Sequence, residues 1–388
     1  MTAGIFLLFS TIFLAYSNGA NDNFKGVATL FGSGARDYKW ALWWATITTF
    51  LGSIAALFAA TNLVTAFSGK GLVPDVAVSD PYFLIAVGLG AACTVFIASL
   101  TGIPVSTTHS LTGALLGAGI IAVGTNINLH ILGGKFFAPL LFSPVIAVFL
   151  TLLIYPSFKR VRMSLGIERQ MCLCVGGNSE AVCVQNNGTV VLKSTGIVLA
   201  VDRLKNCQQV YSGKILGFDS QEVLDRFHFL SAGAVSFARG LNDTPKIAAL
   251  LLAVKAFSFP DGGIILFGIP LWRESRGLFL VAAAIAIGGL LNAKKVALTM
   301  SERITAMNHG QGFSANLITA LLVIFASQWG MPVSTTHVSC GSLFGLGLVN
   351  KKANGSIIKQ IILAWVLTLP IAAIFAGMYY FVFKRILI

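Results

Sequence analysis

The stretch GIPVSTTHSLTGALLGAG occupies residues 102–119, and it returns as GMPVSTTHVSCGSLFGLG at 330–347. Over the 19 positions that align 102–120 on 330–348, eleven are identical. Pro104 and Pro332 carry no backbone donor and favour the start of a helix. Ser-Thr-Thr follows in both copies, and then an apolar helical pattern. Each copy therefore reads as a helix N-terminus whose hydroxyls cap free amides. The helix dipole places about half a positive charge at such an end. Exposed N–H groups, hydroxyl donors and that dipole together make an anion site. Two such ends facing each other would enclose a small tetrahedral oxyanion. Ser106, Thr107 and Thr108 would act from one side, and Ser334, Thr335 and Thr336 from the other.

The surroundings of both copies are apolar. The chain has 388 residues, of which 56% are hydrophobic and 11% charged, against about 25% charged in a water-soluble domain. Apolar runs at 40–67, 82–101, 134–155, 277–293, 313–328 and 357–383 approach or exceed the roughly 20 residues that cross a bilayer core. The composition describes an integral membrane protein with about five passes before residue 156 and about five after 226. The first run starts close to Met1 without a small-residue cleavage site and reads as a retained helix. The net charge of +13 follows from basic loops, as the positive-inside rule expects; nucleic acid is not an expected partner.

A second pair of motifs lies upstream of the first. SNGANDNFKG at 17–26 matches ARGLNDTPKI at 238–247 in Gly, Asn-Asp and Lys. Residues 102 and 330 stand 228 apart and residues 17 and 238 stand 221 apart, so both halves carry the same two motifs in the same order. The expected fold is an all-α polytopic membrane protein of two inverted-topology repeats with interrupted or re-entrant helices. The repeats are 1–157 and 227–388, around a small β-rich cytoplasmic insert at 158–226. An odd number of passes per half turns the second repeat upside down. Arg36, Lys39, Lys294, Lys295, Lys351 and Lys352 then fall on the insert's side, and Asp75 and Asp80 on the other. Lys384 and Arg385 run against that charge rule. Both termini are expected outside the cytoplasm. Inverted repeats of this kind are the plan of many secondary transporters, with substrate held near the midplane.

Within the insert, Lys159, Arg160, Arg162 and Arg169 open the polar segment, and Asn186-Asn187-Gly188 signals a hairpin. Cys172, Cys174, Cys183 and Cys207 share this loop without zinc-ribbon spacing, whereas Cys93 and Cys340 sit in apolar segments and read as core. Gly113, Gly117, Gly341 and Gly345 recur at four-residue spacing, which lets helices approach closely. Trp40, Trp43 and Trp44 read as an interfacial belt. A homodimer is compatible with the sequence and not required by it.

Asn21-Asp22 and Asn242-Asp243 carry the remaining chemistry. An ionised carboxylate in a bilayer costs at least about 2.5 kcal/mol, so each needs a partner or a wet cavity. Asp with Asn supplies hard oxygen ligands suited to Na⁺ or to a proton-exchanging site. Gly19 and Gly240 are expected to open the backbone beside them and free carbonyls for the ion. The alternative is a salt bridge from each Asp to Lys25 or Lys246, with a role in assembly alone. Asn18 and Asn23 are matched by Arg239 and Thr244, so the two sites need not be equivalent. His109 and His337 close the serine-threonine motifs; each is either a satisfied core histidine or a group that orients substrate or couples to protons.

GANDN at 19–23, GLNDTPK at 240–246 and the doubled PVSTTH at 104–109 and 332–337 resemble the PiT family of inorganic phosphate transporters. The resemblance covers both repeats and leaves the insert unexplained. It implies an inorganic phosphate importer of the plasma or inner membrane, driven by Na⁺ in some members and H⁺ in others, with a cytoplasmic central loop. It places cation and phosphate binding at Asn21, Asp22, Asn242 and Asp243, and phosphate at Ser106–Thr108 and Ser334–Thr336. Some relatives are similar to sulfate permeases. Phosphate is expected over sulfate because it can still donate a proton to a buried carboxylate. Two carboxylates and a divalent anion also need compensating charge in a low-dielectric pocket, which favours symport. Na⁺ is expected as coupling ion, with H⁺ as the alternative. No HExxH, Walker or GxSxG motif appears, so an enzyme is not expected. A passive anion channel, or a sensor built on the insert, are the readings from other classes.

Overall fold

The computed structural model describes residues 2–59, 61–166, 168–174, 181–183, 209–212, 214–215, 218–252, 264–266, 269–271 and 273–386. Long helices dominate these residues. They are α1 (Thr2–Asp22), α2 (Tyr38–Ala59), α3 (Pro81–Thr101), α4 (Thr107–Val123), α5 (Ala138–Ser164), α6 (Ser220–Leu252), α7 (Arg273–Asn292), α8 (His309–Gln328), α9 (Thr335–Asn350) and α10 (Gly355–Ile386). Among the described residues, five helical stretches are long and apolar enough to cross a membrane, and a sixth is the pair 277–292 and 294–303, bent by 68°. The chain is a multi-pass membrane protein. Its outer face is apolar, as lipid requires: Phe142, Phe149, Leu153, Val366 and Ile374 are all exposed.

The apolar run at 277–293 forms continuous helix to Asn292. The chain then turns at Ala293 into a short helix, Lys294–Leu298, and a π-turn, Thr299–Arg303. The helices flanking the insert reach further than hydropathy suggests: α5 continues to Ser164 and α6 begins at Ser220. Between them, Glu168–Cys174 pairs antiparallel with Ala181–Cys183 and with Gln209–Ser212, and the register sets Cys172 opposite Cys183. Asn186, Asn187, Gly188 and Cys207 lie outside the described residues.

The expectation that Gly19 and Gly240 open the backbone is corrected. Gly19 lies inside continuous α1 and Gly240 inside continuous α6. They serve close packing instead. A Cβ on Gly19 would collide with the Ile285 carbonyl of α7, and one on Gly240 with the Thr49 carbonyl of α2. Gly113 and Gly117 press α4 onto α10 at Leu369 and Ala373, while Gly341 and Gly345 press α9 onto α5 at Pro144 and Val148. Small faces bring backbones together where lipid leaves no hydrophobic drive between helices.

Candidate anion and cation site at the paired half-helices

The two PVSTTH segments fold alike. Ser106 caps α4 at φ −101°, ψ 116°, and its Oγ accepts from the His109 amide at 3.1 Å. Ser334 caps α9 at φ −97°, ψ 116°, and accepts from His337 at 3.2 Å. The prolines stand in the extended segments just ahead of these caps, not inside the helices. The segments then exchange bonds. Thr108 Oγ1 donates to the Val333 carbonyl at 3.3 Å, and Thr336 Oγ1 donates to the Val105 carbonyl at 2.8 Å. His109 and His337 lie with ring centroids 4.4 Å apart. His337 stacks on Trp365 at 3.9 Å and donates through Nδ1 to the Leu140 carbonyl, while Trp365 Nε1 donates to the Pro104 carbonyl. The sequence motifs predicted to face each other do meet.

The Asn-Asp motifs surround this junction. Asp22 ends α1, and the chain runs on in a tight 3-10 turn, Asn23–Gly26, which swings Lys25 back onto it. Lys25 Nζ donates to Asp22 Oδ1 (2.5 Å), Asn21 Oδ1 (2.8 Å), the Val105 carbonyl (2.9 Å) and Thr336 Oγ1 (2.6 Å). Asp243 stays within α6, and Lys246 follows one turn later beyond Pro245. Lys246 Nζ donates to the Val333 carbonyl (2.7 Å) and Thr108 Oγ1 (2.9 Å), and pairs with Asp243 Oδ1 at 3.7 Å. Asn18 joins the two halves: its Nδ2 lies within 3.2 Å of Asp22 Oδ2, Asp243 Oδ2 and Thr107 Oγ1. Thr107 and Thr335 each stand 3.5 Å from the nearer carboxylate, of Asp22 and Asp243 respectively.

Further side chains hold the motif residues in place. Asn21 Nδ2 donates to Ser99 Oγ and the Ile103 carbonyl, and its Oδ1 accepts from the Val105 amide. Asn242 donates to Asp243 and the Val333 carbonyl, and accepts from Ser327. Thr244 faces away from the junction and bonds Ser53 at 2.7 Å. Asn23 is buried and donates to Thr46.

Arg239 is the residue that sequence reading left out of the site. It is 1% exposed, and its guanidinium donates to Asn18 Oδ1 at 3.3 Å and Asn23 Oδ1 at 3.1 Å. An arginine in the apolar run SFARGLND was the available signal. Two carboxylates thus meet three cationic side chains, Lys25, Lys246 and Arg239, all buried. The protein's own ionisable groups here sum formally to one positive charge. The carboxylates already have their counterions, so beside a divalent anion the charge left for a coupling cation to balance falls to one. A separate cavity of about 450 Å³ opens at the insert end, lined by Arg36, Asp219, Gln221, Glu222, Asp225, Arg226 and Phe229. None of the junction residues lines it.

Two serine-capped helix N-termini meet inside a multi-pass membrane protein and are ringed by buried polar and charged groups. The family model for the phosphate transporter family matches residues 18–376, and the chain belongs to that family. It is similar over 97% of its length to a Pyrococcus horikoshii protein that carries the name of a phosphate permease, at 28% identity and 95% of that protein. It is also similar to inorganic phosphate transporter 2-1, chloroplastic, of Arabidopsis thaliana, at 26% identity over 98% of this chain and 72% of that protein. A solved structure titled the sodium-dependent phosphate transporter superposes with a TM-score of 0.72 over the whole of both chains, at 24% identity, and so shares the fold.

Proposed function

We propose that the chain is a secondary active transporter that imports inorganic phosphate by alternating access, coupled to a cation. One observation carries this reading: two serine-capped helix N-termini abut and exchange threonine-to-carbonyl bonds across the junction. Phosphate would sit between Ser106, Thr107 and Thr108 on one side and Ser334, Thr335 and Thr336 on the other, held by amides, hydroxyls and two converging dipoles.

The paired contacts support an inverted repeat. Asn18 bonds its own repeat counterpart, Arg239, and His109 touches its counterpart, His337. Residues that touch their counterparts lie beside a local twofold. The half-helices then diverge. α4 ends beside the loop around Val73, near the end where Asp80 accepts from Tyr380. α9 ends beside Thr305, close to the His309–Asp225 pair at the insert end. An internal site between inverted halves suits rocking of one against the other.

Na⁺ is the first candidate for the coupling ion, at Asn21, Asp22, Asn242 and Asp243, and H⁺ is the second. The test is radiolabelled phosphate uptake into proteoliposomes with an inward Na⁺ gradient, an inward H⁺ gradient, or neither. Saturable uptake that needs a gradient supports the symporter and names its ion. Unsaturable, gradient-independent flux would make the protein a channel. Uptake of sulfate in place of phosphate would change the substrate.

A further inference from the structure

A coupling cation at the first Asn-Asp motif would need oxygens that are already taken. Asn21 Oδ1, Asp22 Oδ1, the Val105 carbonyl and Thr336 Oγ1 converge on one point at 2.5–2.9 Å, and that point is the Lys25 ammonium. The set is one carboxylate, one amide oxygen, one peptide carbonyl and one hydroxyl, contributed by both repeats. Those are the hard donors that a small cation takes. An ammonium has three protons, and four acceptors surround this one, so Lys25 has no donor left for an anion.

The second motif repeats the plan in part. Lys246 takes the Val333 carbonyl and Thr108 Oγ1, with Asp243 Oδ1 at 3.7 Å, while Asn242 Oδ1 accepts from Ser327 instead. Each lysine belongs to one repeat and reaches the serine-threonine segment of the other. Val105 corresponds to Val333 and Thr108 to Thr336 in the doubled motif. Both ammonium groups are almost fully buried, with side chains 2% exposed. In each case the carbonyl comes from the lysine's own repeat and the hydroxyl from the other.

We infer that Lys25 and Lys246 are tethered cations, standing in the two oxygen cages that a coupling Na⁺ would otherwise fill, so that this chain binds phosphate without Na⁺. The inference rests on the phosphate reading above and selects among its coupling ions. The lysines supply the positive charge that holds Asp22 and Asp243 beside an anion, and they close the contact between the two repeats. The mobile ion is then free to be H⁺, entering with the substrate.

The experiment is equilibrium binding of radiolabelled phosphate to the purified full chain, in choline and in Na⁺ buffers at one ionic strength. Wild type is expected to bind alike in both, within about twofold, a difference worth less than the 1.4 kcal/mol of a tenfold change. Lys25→Ala vacates a cage and leaves its oxygens without a cation. It is expected to lose phosphate affinity in choline by about tenfold or more, and to recover in Na⁺. Lys25→Met fills the space without charge and should lose affinity with no recovery. Lys246→Ala is expected to behave as Lys25→Ala does. Wild type that binds phosphate only in Na⁺ would overturn the inference and keep the phosphate reading. So would Lys25→Ala and Lys246→Ala proteins that bind as wild type does in choline. Wild type that binds no phosphate in either buffer would overturn both. Because the wild-type comparison stands alone, variants that fail to fold leave the inference exposed to it.

Discussion

Asp22 and Lys25 lie three residues apart, both buried, and each is the other's main counterion at 2.5 Å. Removing one member of such a pair leaves an uncompensated charge and costs about 3–5 kcal/mol. Asp22→Asn is therefore expected to lower the melting temperature in detergent sharply, and Lys25→Met on top of it to restore most of the loss. A double mutant whose destabilisation is the sum of the single effects would show that the pair is not coupled. Uptake should be absent in both, since the substitution removes the carboxylate charge beside Asn18 and Thr107. The serine caps make a second test. Ser106→Ala and Ser334→Ala should each cost about 1 kcal/mol of stability and weaken phosphate binding to a similar degree, because the two caps share one geometry. Titration calorimetry that finds one serine indifferent would break the symmetrical clasp. At this scale the sequence named the motif residues and the two lysines as partners of the acids. It could not show that each lysine also collects a carbonyl from the serine-threonine segment of its own repeat and a hydroxyl from that of the other, because those acceptors lie 80 and 311 residues away for Lys25.

Helix contacts depend on which glycines face a backbone, and the doubled small-residue spacing was legible before the partners were. Gly117 meets the Ala373 carbonyl so closely that a Cβ would overlap it, whereas Gly133, in the π-turn Leu132–Phe137, has nothing within 4 Å. Gly117→Ala is expected to push α4 from α10 and cost about 1–3 kcal/mol or more. Gly133→Ala should be neutral or gain up to about 1 kcal/mol of helix propensity. Thermal melts of the two variants check the pair, and equal melts would contradict the close approach. Gly19 and Gly240 teach the converse. The same residue type next to a polar motif reads from sequence as a hinge, and only the neighbouring backbone of α7 and α2 shows that it is a contact. The bend at Ala293 was hidden for a related reason: Lys294 and Lys295 end the apolar run and read from sequence as a loop, whereas the chain goes on there as helix.

Across the whole molecule, the doubled motifs fixed the architecture because one polar segment could be buried only against its copy. The insert at 158–226 gave no comparable signal, since neither motif recurs within it. Orientation is the property that joins every element to the bilayer, and it makes the last prediction. α2 and α6 run side by side in one direction, with Trp44 against Phe229 and Gly233, then Thr49 and Ser53 against Gly240. α6 starts at the insert, so the far end of α2 and the loop that follows it lie at the opposite face. Tyr380, six residues before the end of α10, donates to Asp80 on that face, and Ser10 of α1 packs beside Gly88, one turn further into α3 than Leu84. Both termini therefore share the face of Asp75 and Asp80, away from the insert. A cytoplasmic insert predicts that Val76→Cys in a cysteine-free background reacts with an impermeant maleimide on intact cells, as Val76 is 85% exposed. Arg226→Cys, at an exposed position on the first turns of α6, should react only after permeabilisation. The reverse pattern would place the insert and its basic residues outside and turn the transporter over in the membrane. Labelling of both positions in intact cells would mean that the two ends of α6 do not lie on opposite faces, and the inverted arrangement of the repeats would fall with it.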